Sequence, residues 1–165
     1  MRRLLAITVG TIMLLAGMVA AAASPGTAPS GASPQTMVGS SGPGAFAPAG
    51  CPSGALCFWN ARNFTGGPGK LFGRNANWSA FGHASCPSGT WNNCASSAYN
   101  NGVSCDSVMW DGTNYTFGAA GALVLDRGVG LDLASVGFDG VTSSNSWITP
   151  SLATNSTCTG PNPFG

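Results

Sequence analysis

Charge is scarce in this chain. Only 7% of its 165 residues are charged, Glu does not occur, and His83 is the single histidine. A His-rich zinc site, a pair of histidine bases and a glutamate general acid are therefore excluded, so most hydrolase designs lose a part they need. Arg2 and Arg3 fall in the leading segment. Behind it, Arg62, Lys70, Arg74 and Arg127 stand against Asp106, Asp111, Asp126, Asp132 and Asp139, four cations to five carboxylates, a balance of −1. That is no footprint for a nucleic acid. Helical periodicity is missing too. Gly and Asn recur every few residues, and apolar runs such as Leu56 to Trp59, Ser107 to Trp110 and Leu123 to Leu125 are short. Short strands separated by turns fit this pattern.

What is present begins with a targeting segment. Arg2 and Arg3 precede an apolar run from Leu4 to Ala20 and the small residues Ala21, Ala22 and Ala23, followed by Ser24 and Pro25. Residues 1–23 read as a secretory signal peptide, the alternative being an uncleaved membrane anchor. No Cys follows the cleavage site to carry a lipid. The mature protein is expected outside the cell, secreted, monomeric and without stable membrane association. Residues 24–50 hold five Pro, six Gly, five Ser and five Ala and no charge. Such a composition buries too little apolar surface to offset its ordering entropy, so a disordered linker is expected.

All six cysteines, Cys51, Cys57, Cys86, Cys94, Cys105 and Cys158, follow the linker. An even count behind a signal peptide argues for a disulfide framework and against metal-thiolate chemistry. Several pairings are open. Cys51 to Cys57 and Cys86 to Cys94 each enclose a turn-forming Pro-Ser-Gly, which favours those two bridges and Cys105 to Cys158 as the third. Residues 51–165 then form one domain with repeat one at 51–104, repeat two at 105–150 and a tail at 151–165.

The repeats are read from self-similarity. Phe58 to Gly67 lines up with Met109 to Gly118 at an offset of 51, and Trp91 to Ser97 with Phe138 to Ser144 at an offset of 47. Each first segment sets an aromatic at a strand end, four turn-prone residues, a second aromatic and a Gly, a folded hairpin with stacked aromatics. Two four-stranded Greek-key units packed about a pseudo-two-fold axis would bury both apolar faces in an all-β sandwich.

Trp59, Phe64 and Gly66, with Asn92, Asn93, Ser96 and Ser97, resemble the βγ-crystallin Greek-key signature. The opening Cys51-Pro-Ser-Gly-Ala-Leu-Cys57 and the low charge are similar to secreted actinobacterial proteins of peptidase inhibitor family 36, whose prototype is a metalloproteinase inhibitor. The resemblance covers residues 51 to about 148. It implies a disulfide-stapled βγ-crystallin-like sandwich, a non-enzymatic protein and an extracellular protease as partner, with the metalloproteinase type favoured. It also implies weak calcium binding by Asn92, Asn93, Ser96, Asp139 and Ser143. Gly118 falls one position late behind Phe117, which weakens the second hairpin, and Gly140 replaces the second Asn/Asp, which removes a ligand.

An inhibitor needs a rigid exposed loop. The Cys86 to Cys94 loop, with Ser88, Gly89, Thr90 and Trp91, is the candidate, Trp91 serving as anchor or else as a core residue matching Phe138. No closely spaced cysteine pair follows Cys105, where the prototype carries its inhibitory loop. His83 has no nucleophile motif beside Ser79 or Ser85 and reads as a loop residue. The sequons at Asn63, Asn77, Asn114 and Asn155 follow from abundant Asn, Ser and Thr. The alternatives to inhibition are a calcium-binding structural module and a wall- or carbohydrate-binding domain using Trp78, Trp91 or Trp147, while Trp59 and Trp110 belong to the repeats.

Overall fold

The strands form where short runs bury every side chain. In β2 (Leu56–Trp59) all four residues are at most 1% exposed. Side chains alternate along a strand, so Leu56 and Phe58 enter the main core while Cys57 and Trp59 enter a second cluster with Cys51, Ala55 and Tyr99. In β5 (Asp106–Trp110) Met109 joins the main core, and Val108 and Trp110 join a third cluster with Ala122, Val124 and Ile148. Both sheets are thus covered on both faces, which is why these runs are apolar without alternation.

The computed structural model describes residues 35–37, 46–150, 158 and 160–163. The signal peptide expected over 1–23 lies outside the described residues, as do most of the linker (24–34 and 38–45) and ten of the fifteen tail residues. The other strands are β1 (Gln35–Met37), β3 (Gly69–Leu71), β4 (Ser97–Asn100), β6 (Ala122–Leu125), β7 (Gly130–Asp132) and β8 (Ser144–Ile148). One sheet has the order β3-β2-β4-β7 and the other β1-β6-β5-β8. Between them lie Leu56, Phe58, Trp78, Met109, Leu133 and Phe138, each at most 1% exposed.

The halves exchange chain. β7, from the second half, pairs with β4 of the first through Ser97 and Asp132. The first half returns only a bridge, Asn75 against Asn145 on β8, with reciprocal N–H to carbonyl bonds of 2.9 and 3.0 Å. The expectation of four strands holds for the second repeat, β5 to β8, and is corrected for the first, which has three strands and this bridge. Residues 72–77 are rich in Gly and Asn, poor strand formers, and turn at once into a short 3-10 helix at Trp78–Ala80. The sheet gains its fourth strand from elsewhere, because β1 lies parallel on the open edge of β6, with Gln35 beside Leu123. Three residues of the segment expected to be disordered linker are therefore strand. An unpaired edge offers backbone donors and acceptors to any extended segment within reach.

The repeated hairpins rest on backbone torsions that few residues adopt. Asn63 and Phe64 have φ of 55° and 56°, and Asn114 and Tyr115 have 54° and 61°, all in the left-handed region. One serine holds each pair. Ser97 Oγ accepts from Phe64 N at 3.1 Å and donates to the Ala61 carbonyl at 2.7 Å. Ser144 Oγ accepts from Tyr115 N at 3.1 Å and donates to the Gly112 carbonyl at 2.7 Å. The rings meet edge-on, not stacked: Trp59 and Phe64 lie 5.3 Å apart at 73°, Trp110 and Tyr115 6.5 Å apart at 70°. The extra Phe117 does not unmake the second hairpin. It packs on Trp110 at 5.2 Å, and the Asp111 carboxylate accepts from the backbone N–H groups of Gly118, Ala120 and Gly121.

Bridges join Cys51 to Cys57, Cys86 to Cys94 and Cys105 to Cys158, with Cα separations of 5.7, 5.6 and 5.8 Å.

Removing either serine hydroxyl leaves a carbonyl and an N–H unpaired at a strained turn. Ser97→Ala and Ser144→Ala are each expected to lower unfolding free energy by about 1–3 kcal/mol, read from urea midpoints at unchanged slope. A loss in neither variant would show that ring packing alone holds the hairpins.

Candidate functional site

The two halves differ most between the first 3-10 helix and β4. Trp78 and Leu133 occupy equivalent places, since Trp78 N donates to the Ser143 carbonyl at 2.8 Å and Leu133 N to the Ser96 carbonyl at 2.9 Å. From Trp78 to Ser97 the chain advances 19 positions, whereas from Leu133 to Ser144 it advances 11. The first half therefore carries extra residues, and the Cys86–Cys94 bridge closes them into a loop.

That loop is tied at each turn. Cys86 N donates to the His83 carbonyl at 3.0 Å, Gly89 N to the Cys86 carbonyl at 2.9 Å, and His83 N to the Gly89 carbonyl at 2.9 Å. Ser88 Oγ lies 3.0 Å from Thr90 Oγ1. Gly89 sits at φ 70°, a conformation that costs a side-chain-bearing residue free energy. Pro87, Ser88 and Gly89 form an exposed apex, and Thr90 is half-buried. Trp91 is not at the apex. It is 5% exposed, packs edge-on against Phe58 at 4.7 Å and stacks on His83 at 4.1 Å. The reading of Trp91 as an apolar anchor is corrected: strand-like pairing of Trp91 N to the Phe81 carbonyl, at 2.9 Å, turns the indole into the core.

His83 lies against the base of this loop. Its Nε2 is buried without a hydrogen-bond partner, and its ring is occupied by the stack on Trp91. Among the described residues, no three His, Cys, Asp or Glu side chains gather as a metal cluster.

The residues expected to hold calcium come from two crossing loops. Asn93 N donates to the Thr142 carbonyl and Gly140 N to the Ala95 carbonyl, both at 2.9 Å. Ser143 Oγ donates to Asn93 Oδ1 at 3.0 Å, so those two oxygens are close enough to share one cation. Asn92 Oδ1 is buried with no donor, an orphaned oxygen of the kind a cation satisfies. Ser96 is half-buried beside this loop, while Asp139 is exposed, with Gly140 at φ 65° in the place of Asn93. The donor set is hard oxygen and fits calcium, with a single carboxylate to offset its charge.

Residues 44–123 match the model of peptidase inhibitor family I36. The chain has a βγ-crystallin-like fold and resembles this family over those residues. The match takes in both short disulfide loops and stops inside β6, before the second crossing loop. A solved structure from work on the evolution of the eye lens βγ-crystallin domain fold is 19% identical, with a TM-score of 0.50 over 62% of this chain and 94% of that one. It shows a shared fold. IPSE alpha-1, an IgE-binding crystallin, is 17% identical, with a TM-score of 0.45 over 61% of this chain and 90% of that one. No curated protein matches the sequence.

Four of the five tryptophans, Trp59, Trp78, Trp91 and Trp110, are at most 5% exposed, so they offer no face to a sugar. The large exposed apolar side chains among the described residues are Phe46, Phe72, Val103 and Phe117. Phe72 and Val103 lie in loops outside the repeat pattern, so spacing gave no sign of them, whereas Phe117 is the residue inserted in the second hairpin.

One carboxyl departs from its ordinary titration. Asp106 is pushed up by burial and then by the charge of Asp126, against the Arg127 N–H and guanidinium, which pull it down. The folded state thus holds this proton more tightly than the unfolded chain. Asp106 costs stability at neutral pH, and that cost disappears as pH falls through its raised pKa. Asp106→Asn is expected to melt higher than the parent near neutral pH, with the gap closing toward the ordinary aspartate range. A gap independent of pH would disprove that origin.

Proposed function

We propose that this protein is a secreted inhibitor of an extracellular protease, of the metalloproteinase type, that acts by binding and not by turnover. The observation carrying this reading is the family I36 match, which spans the inserted Cys86–Cys94 loop. The loop supports it physically. A protease cleft accepts a loop that is already shaped with little loss of conformational entropy, and hydrogen bonds plus a bridge hold Pro87, Ser88 and Gly89 outward. Trp91 acts from beneath, as the packed base on which the loop stands. Three disulfides and the expected leader fit an oxidising, extracellular setting.

The protein at micromolar concentration is expected to slow a thermolysin-like metalloproteinase and not a serine protease. Ser88→Arg at the exposed apex should weaken inhibition about tenfold or more while the melting temperature stays unchanged. Absence of inhibition in both protease classes would remove the reading, and inhibition unaffected by Ser88→Arg would move it to another loop.

A second reading rests on Asn92 Oδ1. Asn92, Asn93, Ser96, Asp139 and Ser143 form a weak calcium site, with dissociation constants of about 10⁻⁴ to 10⁻³ M. Calcium there would pin the two halves across their crossing loops. At ten times the dissociation constant the linkage is worth about 1.4 kcal/mol, so millimolar calcium should raise the melting temperature above that in chelator. Asn92→Ala should abolish the rise. Identical melts in calcium and chelator would reduce the crossing loops to scaffolding.

A further inference from the structure

The Cys86–Cys94 loop and the first crossing loop are one piece of chain. Asn92 and Asn93, two of the residues proposed for calcium, are the last residues inside the ring that this bridge closes, and Pro87, Ser88 and Gly89 at its apex are the first. The ring thus carries an exposed turn at one end and hard oxygens at the other. The matching segment of the second half, Phe138 to Ser144, contains no cysteine, so only the first half joins the two features.

Hydrogen bonds run from end to end of the ring. Ser88 Oγ lies 3.3 Å from the Thr90 carbonyl and 3.4 Å from the Asn92 carbonyl, so the apex hydroxyl reaches the backbone at the other end. His83 N and Trp91 N hold the flanks, through the Gly89 and Phe81 carbonyls, at 2.9 Å each. The second half holds the far end: Asn93 N donates to the Thr142 carbonyl at 2.9 Å, and Asn93 Oδ1 accepts from Ser143 Oγ at 3.0 Å. Asn93 stands at φ 56°, a left-handed conformation that persists where surrounding contacts impose it.

Two oxygens here lack partners. Asn92 Oδ1 and Thr142 Oγ1 are buried without a hydrogen bond, one on each crossing loop. Unpaired buried oxygens destabilise the arrangement that buries them, and a hard cation relieves that penalty. With no cation, opening of the ring lets Asn92 turn to water, so its oxygen favours a looser loop. With a cation bound, the same oxygen favours the closed one.

We propose that calcium at the crossing loops holds the Cys86–Cys94 apex in its binding shape, so that the metal sets how firmly the loop grips its partner. This rests on the calcium reading above, and its consequence for a protease rests on the inhibitor reading. A ligand shifts an equilibrium only by its differential affinity for the two states. Asn92 and Asn93 supply that difference, because they face the cation together with Ser143 only while the ring is closed. The coupling is reciprocal: a partner that clamps the apex tightens calcium by the same factor.

Amide hydrogen exchange of the ¹⁵N-labelled secreted chain tests this without a protease, in chelator and in calcium at about ten times the dissociation constant found by calorimetry. The Gly89 and Trp91 amides are expected to exchange about tenfold more slowly in calcium, the factor by which a ligand at that excess suppresses an opening that destroys its site. The Gly118 and Ala120 amides, bonded to Asp111 away from the crossing loops, should be unchanged. Asp139 is exposed and lies outside the ring, so Asp139→Asn removes a cation ligand without touching the ring's own contacts. It should weaken calcium and move the midpoint of loop protection to the same higher concentration. In one calcium-containing buffer, where the metals of the protease stay constant, this variant should also inhibit about fivefold more weakly than the parent. Absence of calcium binding would remove the calcium reading and the proposal with it. Calcium binding that leaves Gly89 and Trp91 unchanged, or slows all amides equally, would overturn the coupling alone. Inhibition by neither chain would count against the inhibitor reading, and the exchange result would still decide the coupling.

Discussion

Two serine hydroxyls set the geometry on which the domain depends. Ser97 and Ser144 are the first residues of β4 and β8, and each reaches back to a hairpin whose two central residues sit in the left-handed region. Non-glycine residues there carry strain of order 1–3 kcal/mol each, and they persist only where the surroundings over-determine them. The hydroxyl does this by accepting from the strained N–H and donating to the carbonyl three positions earlier. Once the hairpin is folded over, Phe64 covers Trp59 and Tyr115 covers Trp110. The outer face of each sheet is then closed, and the core between the sheets need bury only one face of each.

That closure explains how a domain with so few charges stays ordered around buried polar groups. Asn100 and Asn145 are fully buried, yet Asn100 Nδ2 donates to the Leu125 carbonyl at 2.8 Å and Asn145 Oδ1 accepts from Trp78 Nε1 at 2.9 Å. Each ties one half to the other. Such bonds matter mostly through what their loss would leave unpaired, so the polar residues of the core fix how the two halves sit together.

Much of this was legible in residue spacing. Trp59, Phe64 and Ser97, and their counterparts Trp110, Tyr115 and Ser144, recur at offsets of 51 and 47 because a hairpin and the strand beneath it impose fixed distances along the chain. An all-β sandwich of two units follows from that recurrence, the resemblance of the motifs implies the βγ-crystallin type, and the shared fold agrees. Where spacing carries no constraint, the reading failed. Gly and Asn recur throughout the chain, so their presence in residues 72–77 did not mark that a strand shrinks to the Asn75 bridge, and β1 depends on an edge that only the assembled sheet presents. Gly118 was expected to weaken its hairpin, but Asp111 has three acceptor bonds with which to absorb one more residue. Trp91 belonged at once to a loop and to the repeat, and packing against Phe58 decided for the core.

Duplication also indicates where function resides. Positions that repeat are those the hairpins, strands and crossing loops require, so their residue types answer to folding first. The Cys86–Cys94 loop lies where the halves differ, as the inserted chain before β4. It is also fastened more than a passive connection needs, by a bridge and turn hydrogen bonds. Fastening an exposed loop lowers its entropy without burying apolar surface, which gains most when a partner must later bind it in that shape. The proposed inhibitory contact thus falls at a departure from symmetry, where the repeat imposes no residue type.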